Sequence, residues 1–185
     1  ADSLPDGWGR LLVDRMLLGN GINPEQITAL QRLSIVGRSG MGALEYIPET
    51  KYESPASSMS LDEIAKECEK IFELKHSDDL DKIFYMGGSS GGARPKVFYS
   101  INEEEWIVKF PSSIDCKNIG ELEYKYAICA KKCNIEVPEV KLLPSKLNSG
   151  YFACKRFDRK GKEKVHMISA SALLETSHRI PNLDY

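Results

Sequence analysis

Gly87-Gly88-Ser89-Ser90-Gly91-Gly92-Ala93-Arg94-Pro95-Lys96, followed closely by Trp106-Ile107-Val108-Lys109-Phe110, is the stretch on which the reading of this chain turns. A glycine-rich turn lets backbone N–H groups approach an anion closely. Period-two alternation then predicts a strand with Trp106, Val108 and Phe110 on one face and Ile107 and Lys109 on the other. A lysine among such apolar neighbours is costly unless an anion pairs with it, or unless it snorkels to the sheet edge. Loop and lysine together suggest half of a nucleotide-phosphate site. The loop fits neither common nucleotide motif. Gly87 and Gly92 have the outer spacing of a Walker loop, but Ala93-Arg94 stands where Lys-Ser/Thr is required, and there is no GxGxxG.

Upstream of the loop, Ser60 and Glu63 form a capping-box pattern that opens a helix running to about Lys75. Its apolar face is Leu61, Ile64, Ala65, Cys68, Ile71 and Phe72. A short helix over Asp78–Tyr85 leads into the glycines. Nearer the N-terminus, helices are expected over residues 4–19 and from Pro24 to Val36, then a short extended piece from Ala43 to Ile47. The polar stretch Pro48–Met59 reads as a linker.

Downstream, strands are expected at Val97–Ser100, Glu105–Phe110, Val140–Leu143 and Gly150–Arg156. A helix covers about Ile119–Cys133, a hairpin spans Arg159–Met167, and Ser169 opens a last helix. This order favours an α+β fold, a small antiparallel sheet covered by helices. The expected division is a helical segment over residues 1–50 and a sheet-bearing lobe over 51–185. On the helix after Lys109, residues Ile119, Glu123, Tyr126, Ala127 and Ala130 share one face. Glu123 therefore sits in an otherwise apolar stripe and is a natural partner for Lys109. Glu121 is the rival, with an exposed pairing to Lys125 as its alternative. A strand lysine held by a helix glutamate is how protein kinases place a lysine on nucleotide phosphates.

The 185 residues, net charge of −2 and 42% hydrophobic content describe an ordinary globular chain without an overall drive toward nucleic acid or membrane. No apolar run has transmembrane length, and the N-terminus has no signal-peptide pattern. Five cysteines without a CxxC pair point to reduced thiols and a cytoplasmic setting. Cys129 and Cys133 lie one helical turn apart, but no second pair or nearby histidine completes a metal site.

The ordered set of short motifs resembles the HipA family of bacterial toxin serine/threonine kinases. The pieces are Leu4-Pro5-Asp6-Gly7-Trp8-Gly9-Arg10, Gly40-Met41-Gly42-Ala43-Leu44, the loop from Ser89 to Lys96, and Ile107-Val108-Lys109-Phe110. They continue with Glu123-Tyr124, Ala130-Lys131, Val137-Pro138, and Lys155-Arg156-Phe157-Asp158-Arg159 followed by Val165-His166. The resemblance implies the N-terminal part of a kinase, with a kinase-like N-lobe. It implies ATP as the nucleotide, bound by Ser89, Ser90, Gly91, Gly92 and Ala93 of the loop and by Lys109. Lys155 and Phe157 match hinge positions whose backbone meets adenine, and Asp158 would approach the ribose. Against that stands the plainer reading of Arg156, Asp158 and Arg159 as a solvated salt-bridge cluster. Ser89 matches the family's autophosphorylated serine, with Ser90 the neighbouring candidate. The implied partners are a protein substrate of the translation machinery, typically an aminoacyl-tRNA synthetase, and a HipB-like DNA-binding antitoxin.

A kinase also needs an Asp to orient the acceptor hydroxyl and an Asn and an Asp to hold Mg²⁺. No catalytic residue of this kind is found in the chain, so the Mg²⁺ ligands are expected outside it. His76-Ser77-Asp78 only superficially resembles a catalytic loop. With its end soon after a helix start, the chain is expected to be a fragment with negligible phosphotransfer of its own. The alternative is a non-catalytic, kinase-like module that docks a partner protein.

Overall fold

Apolar residues spaced for helices and strands converge on one shared core. A computed structural model of the chain describes residues 2–51 and 59–176. Its elements run α1 (Trp8–Gly19), a 3-10 turn (Pro24–Gln26), α2 (Ala29–Val36), α3 (Leu61–Phe72), α4 (Leu80–Gly87), β1 (Lys96–Ile101), β2 (Glu104–Lys109) and α5 (Ile119–Lys132). They continue with β3 (Val140–Leu143), β4 (Tyr151–Lys155), β5 (Arg159–Lys160), β6 (Glu163–Lys164) and α6 (Ala170–Leu173). The fold is α+β, as the sequence predicts. Strands β1–β4 form one antiparallel sheet in the order β1-β2-β4-β3, and β5 with β6 makes a separate hairpin.

The two faces of the sheet differ. Val97, Val108 and Ala153 are cross-strand neighbours on one face, each wholly buried. Trp8, Leu12 and Val13 of α1, Ile64, Cys68 and Ile71 of α3, and Ile83 of α4 complete that core. Each buried Val, Leu or Ile among them contributes about 1.5–3 kcal/mol by leaving water. The opposite face carries Phe98, Ile107, Lys109 and Cys154, all only partly covered. Helix α5 packs against β4 and β3 on the chain's downstream half, leaving the β1–β2 part more open.

The capping box at Ser60 forms, with Glu63 Oε2 accepting from the Ser60 amide at 2.8 Å. Three expectations are corrected. The helix expected over Pro24–Val36 is broken: Asn23 caps only a 3-10 turn, and the α-helix starts again behind Thr28, whose capping box with Gln31 is the stronger signal. The piece Ala43–Ile47 joins no strand, since its neighbourhood is fixed by side-chain clamps described below. The apolar stripe of α5 is narrower than its periodicity implies. Tyr126 lies about 60° around the helix from Glu123 and is 76% exposed. Only Gly120 of that helix is fully buried, because its N-terminal turn approaches the backbone of Gly150 too closely for any side chain.

Helix α1 shares the sheet's core rather than forming a layer of its own. Most of the linker, residues 52–58, and residues 177–185 with His178 lie outside the described part. No helix among the described residues is long and apolar enough to cross a membrane.

Candidate functional site

Lys109 ends β2 on the half-open face of the sheet, and its ammonium donates to Glu123 Oε1. Strand alternation sets the side of the sheet, while α5 brings the carboxylate over it. Both side chains are about one-third exposed, so the pair stays within reach of a ligand. The Lys109 ammonium also lies 5.2 Å from the Phe152 ring centroid. Glu121 pairs with Lys125 at 2.5 Å, so the rival pairing exists beside the first instead of replacing it.

Lys96 adds a second cation. It is the cross-strand partner of Lys109, and parity puts both on the same face. Its ammonium donates to the carbonyls of Gly91 at 2.6 Å and Arg94 at 2.8 Å, which turns those carbonyls inward around it. Burial, then the nearby Lys109 charge, pushes the Lys96 ammonium down to about 8. Among the described residues, nothing accepts a hydrogen bond from the amides of Gly91, Gly92 or Ala93, and all three residues are exposed. Gly92 has φ +80°, a conformation suited to glycine.

Arg94 is held by Asp115 through two bonds of 2.9 and 2.5 Å. Those bonds, helped by the Ser112 amide and hydroxyl, hold the Asp115 carboxyl well below the usual carboxylate range. Three cations thus gather around the loop against two carboxylates, a surplus of positive charge suited to an anion.

The serines divide. Ser90 is 1% exposed and its hydroxyl donates to the Gly87 carbonyl at 2.6 Å. It acts as a turn clasp, which corrects the expectation that its hydroxyl meets phosphate. The Ser89 hydroxyl donates to the Ser39 carbonyl at 3.0 Å and remains partly exposed.

At the other end of the open face, the Lys155 amide donates to the Glu139 carbonyl at 2.8 Å, and its carbonyl accepts a weak bond from the Cys154 thiol at 3.6 Å, which leaves that carbonyl as the side with room for a ligand edge. Its ammonium pairs with Glu104 at 2.5 Å. Phe157 is 57% exposed. Asp158 is a correction. It is 0% exposed, and its carboxylate is consumed by Arg156 (3.0 and 2.8 Å), Arg159 (2.8 Å) and the Gly42 amide (2.8 Å), with nothing left for a ribose. Burial pulls its carboxyl upward, but the Arg156 hydrogen bonds and the Gly42 amide outweigh this and set it below the ordinary value. The salt-bridge cluster is therefore real but dry, since Arg156 is only 4% exposed.

A family model described as the HipA-like C-terminal domain matches residues 88–185. The chain belongs to the HipA-like family. No curated protein and no solved structure matches it. The HipA-like match takes in the loop from Gly88 onward, Lys96, Lys109, Glu123 and the end of β4. The segments that grip the loop and the Arg156–Asp158–Arg159 cluster, around Gly7 and Ser39–Gly42, lie upstream of it.

Two features of this HipA-like chain escaped the sequence reading. Lys96 stands in the opening motif, yet its role depends on cross-strand register with Lys109, which only the turn at Asn102-Glu103 fixes. A cavity of about 660 Å³ lined by Ser39, Ser89, Phe98, Glu105, Arg156 and Lys164, among others, adjoins the loop without reaching Lys96 or Lys109. No group of three or more metal-ligating side chains occurs among the described residues, and Cys129 and Cys133 are both exposed and free. His76 and His166 are exposed.

Proposed function

We propose that this chain is the nucleotide-binding N-terminal portion of a HipA-like serine/threonine protein kinase. One observation carries the reading: the strand lysine Lys109, paired to the helix carboxylate Glu123, stands on the same face as Lys96, whose ammonium holds the Gly91 and Arg94 carbonyls of the glycine loop. In this reading Lys109 and Lys96 meet phosphate oxygens of ATP, and Glu123 fixes the direction of Lys109. The amides of Gly91, Gly92 and Ala93 take the remaining oxygens. The Lys155 carbonyl and the backbone of the exposed residue Phe157 offer edges for adenine. Mg²⁺ would supply charge neutralisation on the phosphates, and no group of three or more metal-ligating side chains occurs among the described residues to hold it.

Family membership supports the wider setting, in which the kinase is the toxin of a toxin–antitoxin pair. It phosphorylates a translation protein such as an aminoacyl-tRNA synthetase and is restrained by a HipB-like antitoxin. Ser89, partly exposed at the start of the loop, is the proposed autophosphorylation site.

Calorimetric titration with ATP–Mg²⁺ tests the site. The expected result is saturable binding that Lys109→Ala weakens at least tenfold. Binding unchanged in Lys109→Ala sinks the role given to that lysine. A wild-type chain that binds no nucleotide favours the docking module, for which exposed Tyr126 and Ile135 on and beside α5 offer an apolar contact.

A further inference from the structure

The bonds within the glycine loop are not all that holds its shape. The loop is gripped from Ser90 to Lys96 by three consecutive residues near the N-terminus. The Trp8 amide donates to the Gly92 carbonyl at 2.8 Å. The Trp8 indole Nε1 donates to the Lys96 carbonyl at 2.9 Å. Gly9 lies so close to Ser90 that a Cβ there would stand 2.0 Å from the Ser90 carbonyl oxygen. A Cβ on Gly7 would stand 2.3 Å from the Gly92 carbonyl oxygen, and Gly7 has φ +52°, which a side chain disfavours. Gly9 is inside α1, where alanine is the better helix former. Glycine at that position thus answers to the loop, not to the helix.

We infer that Gly7-Trp8-Gly9 is a socket that seats the glycine loop, with Gly7 and Gly9 as positioning residues for the anion the loop binds. The grip takes up the carbonyls of Gly92 and Lys96. Lys96 and its ammonium take up those of Gly91 and Arg94. With its carbonyls engaged, the loop keeps its amides free for a ligand, at no reorganisation cost when the ligand arrives. The anion-positioning half of this inference rests on the nucleotide reading above, while the socket itself does not.

Hydrogen–deuterium exchange of the hydrogen-bonded Ser90 and Trp8 amides tests the socket without any ligand, comparing Gly9→Ala with Gly19→Ala. The latter is a control in the same helix, because a Cβ at Gly19 meets nothing within 4 Å. The expected result is at least tenfold faster exchange in Gly9→Ala of the Ser90 amide, which donates to the Gly87 carbonyl, and of the Trp8 amide, which donates to the Gly92 carbonyl, with β2 and β4 amides at wild-type rates. Loop rates like those of the control overturn the socket, as does equal acceleration of loop and sheet, which marks a general loss of stability. Should Gly9→Ala fail to fold, Trp8→Phe removes the indole bond to Lys96 together with part of a buried ring. It is expected to speed exchange of the Phe110 amide, which donates to the neighbouring Pro95 carbonyl at 2.9 Å, at least threefold, and an unchanged rate there overturns the socket. ATP–Mg²⁺ titration then reads the positioning half, with affinity at least fivefold weaker in Gly9→Ala than in Gly19→Ala. Equal affinities overturn it. If neither variant nor wild type binds ATP, the nucleotide reading fails, the positioning role falls with it, and the exchange result decides the socket alone.

Discussion

Lys96 and Lys109 stand directly opposite each other in the β1–β2 ladder, so two ammonium side chains leave one face of the sheet side by side. Like charges in such positions destabilise a sheet. Here the strain is spread among the Gly91 and Arg94 carbonyls on one side and Glu123 on the other. An anion seated between the two lysines relieves it further.

Lys96→Met therefore moves stability and binding in opposite directions. Removing one of two facing cations is expected to leave thermal stability unchanged or slightly raised, by up to about 1 kcal/mol. Affinity for ATP–Mg²⁺ should fall at least fivefold. Urea unfolding and calorimetry on the same protein check the pair of outcomes, and parallel losses in both would sink the account.

A pH dependence follows from the lowered Lys96. Its folded value of about 8 lies below the ordinary 10.5, so between those two values the unfolded chain binds the extra proton. The penalty for holding the charge in the fold is present in full below pH 8 and lifts as pH rises toward 10.5, which favours the folded state over that window. Anion binding runs the other way. Nucleotide affinity should decline as pH passes from 7.5 to 9.5, with proton uptake on binding near pH 8.5 and above. Titrations in buffers of different ionisation enthalpy measure that uptake directly.

Asp158→Asn leaves Arg156 and Arg159 buried without their carboxylate. Breaking a buried ion pair in this way costs on the order of 3–5 kcal/mol. Because the Asp158 carboxyl is lowered from 3.8 in the fold, its contribution is present above the unfolded value and fades as pH falls through the folded one. The gap between wild type and variant in urea unfolding should be wide at pH 7 and shrink on acidification below pH 4. A constant gap would contradict the assignment.

Thiol labelling should separate the five cysteines into classes. Cys116, Cys129 and Cys133 are exposed and free, and react promptly with an aromatic disulfide reagent. Cys68 is wholly buried, and burial pushes its thiol far above the ordinary range, so it labels only on unfolding. Cys154 is half-covered and pushed upward by burial, and falls between.

Local patterning made most of the fold legible. The Ser60 box, the apolar face through Ile64, Cys68 and Ile71, and the alternation around Trp106 each follow from one element's own periodicity, and the structure follows them. Lys109 with Glu123 was readable for the same reason, because each lies on the informative face of its own element. What stayed hidden depends on contacts across long stretches of chain. Asp158 reads as a polar strand end until the Gly42 amide arrives from 116 residues away. Lys96 has no meaning without its register. Ser90 looks like a ligand until the tight turn onto Gly87 turns it inward.

Residues 39–42 touch two places that sequence alone keeps apart. Ser39 receives the hydroxyl of Ser89 at the glycine loop, while Gly40 and Gly42 receive Arg159, and Gly42 also binds Asp158, just beyond β4. Four residues thus act as a gauge block between the loop and the strand end that bracket the open face of the sheet. The span of that cleft is set by a segment that touches it only through Ser39, so altering the spacing at Gly40 to Gly42 would retune the fit of a ligand from outside the loop and the strands.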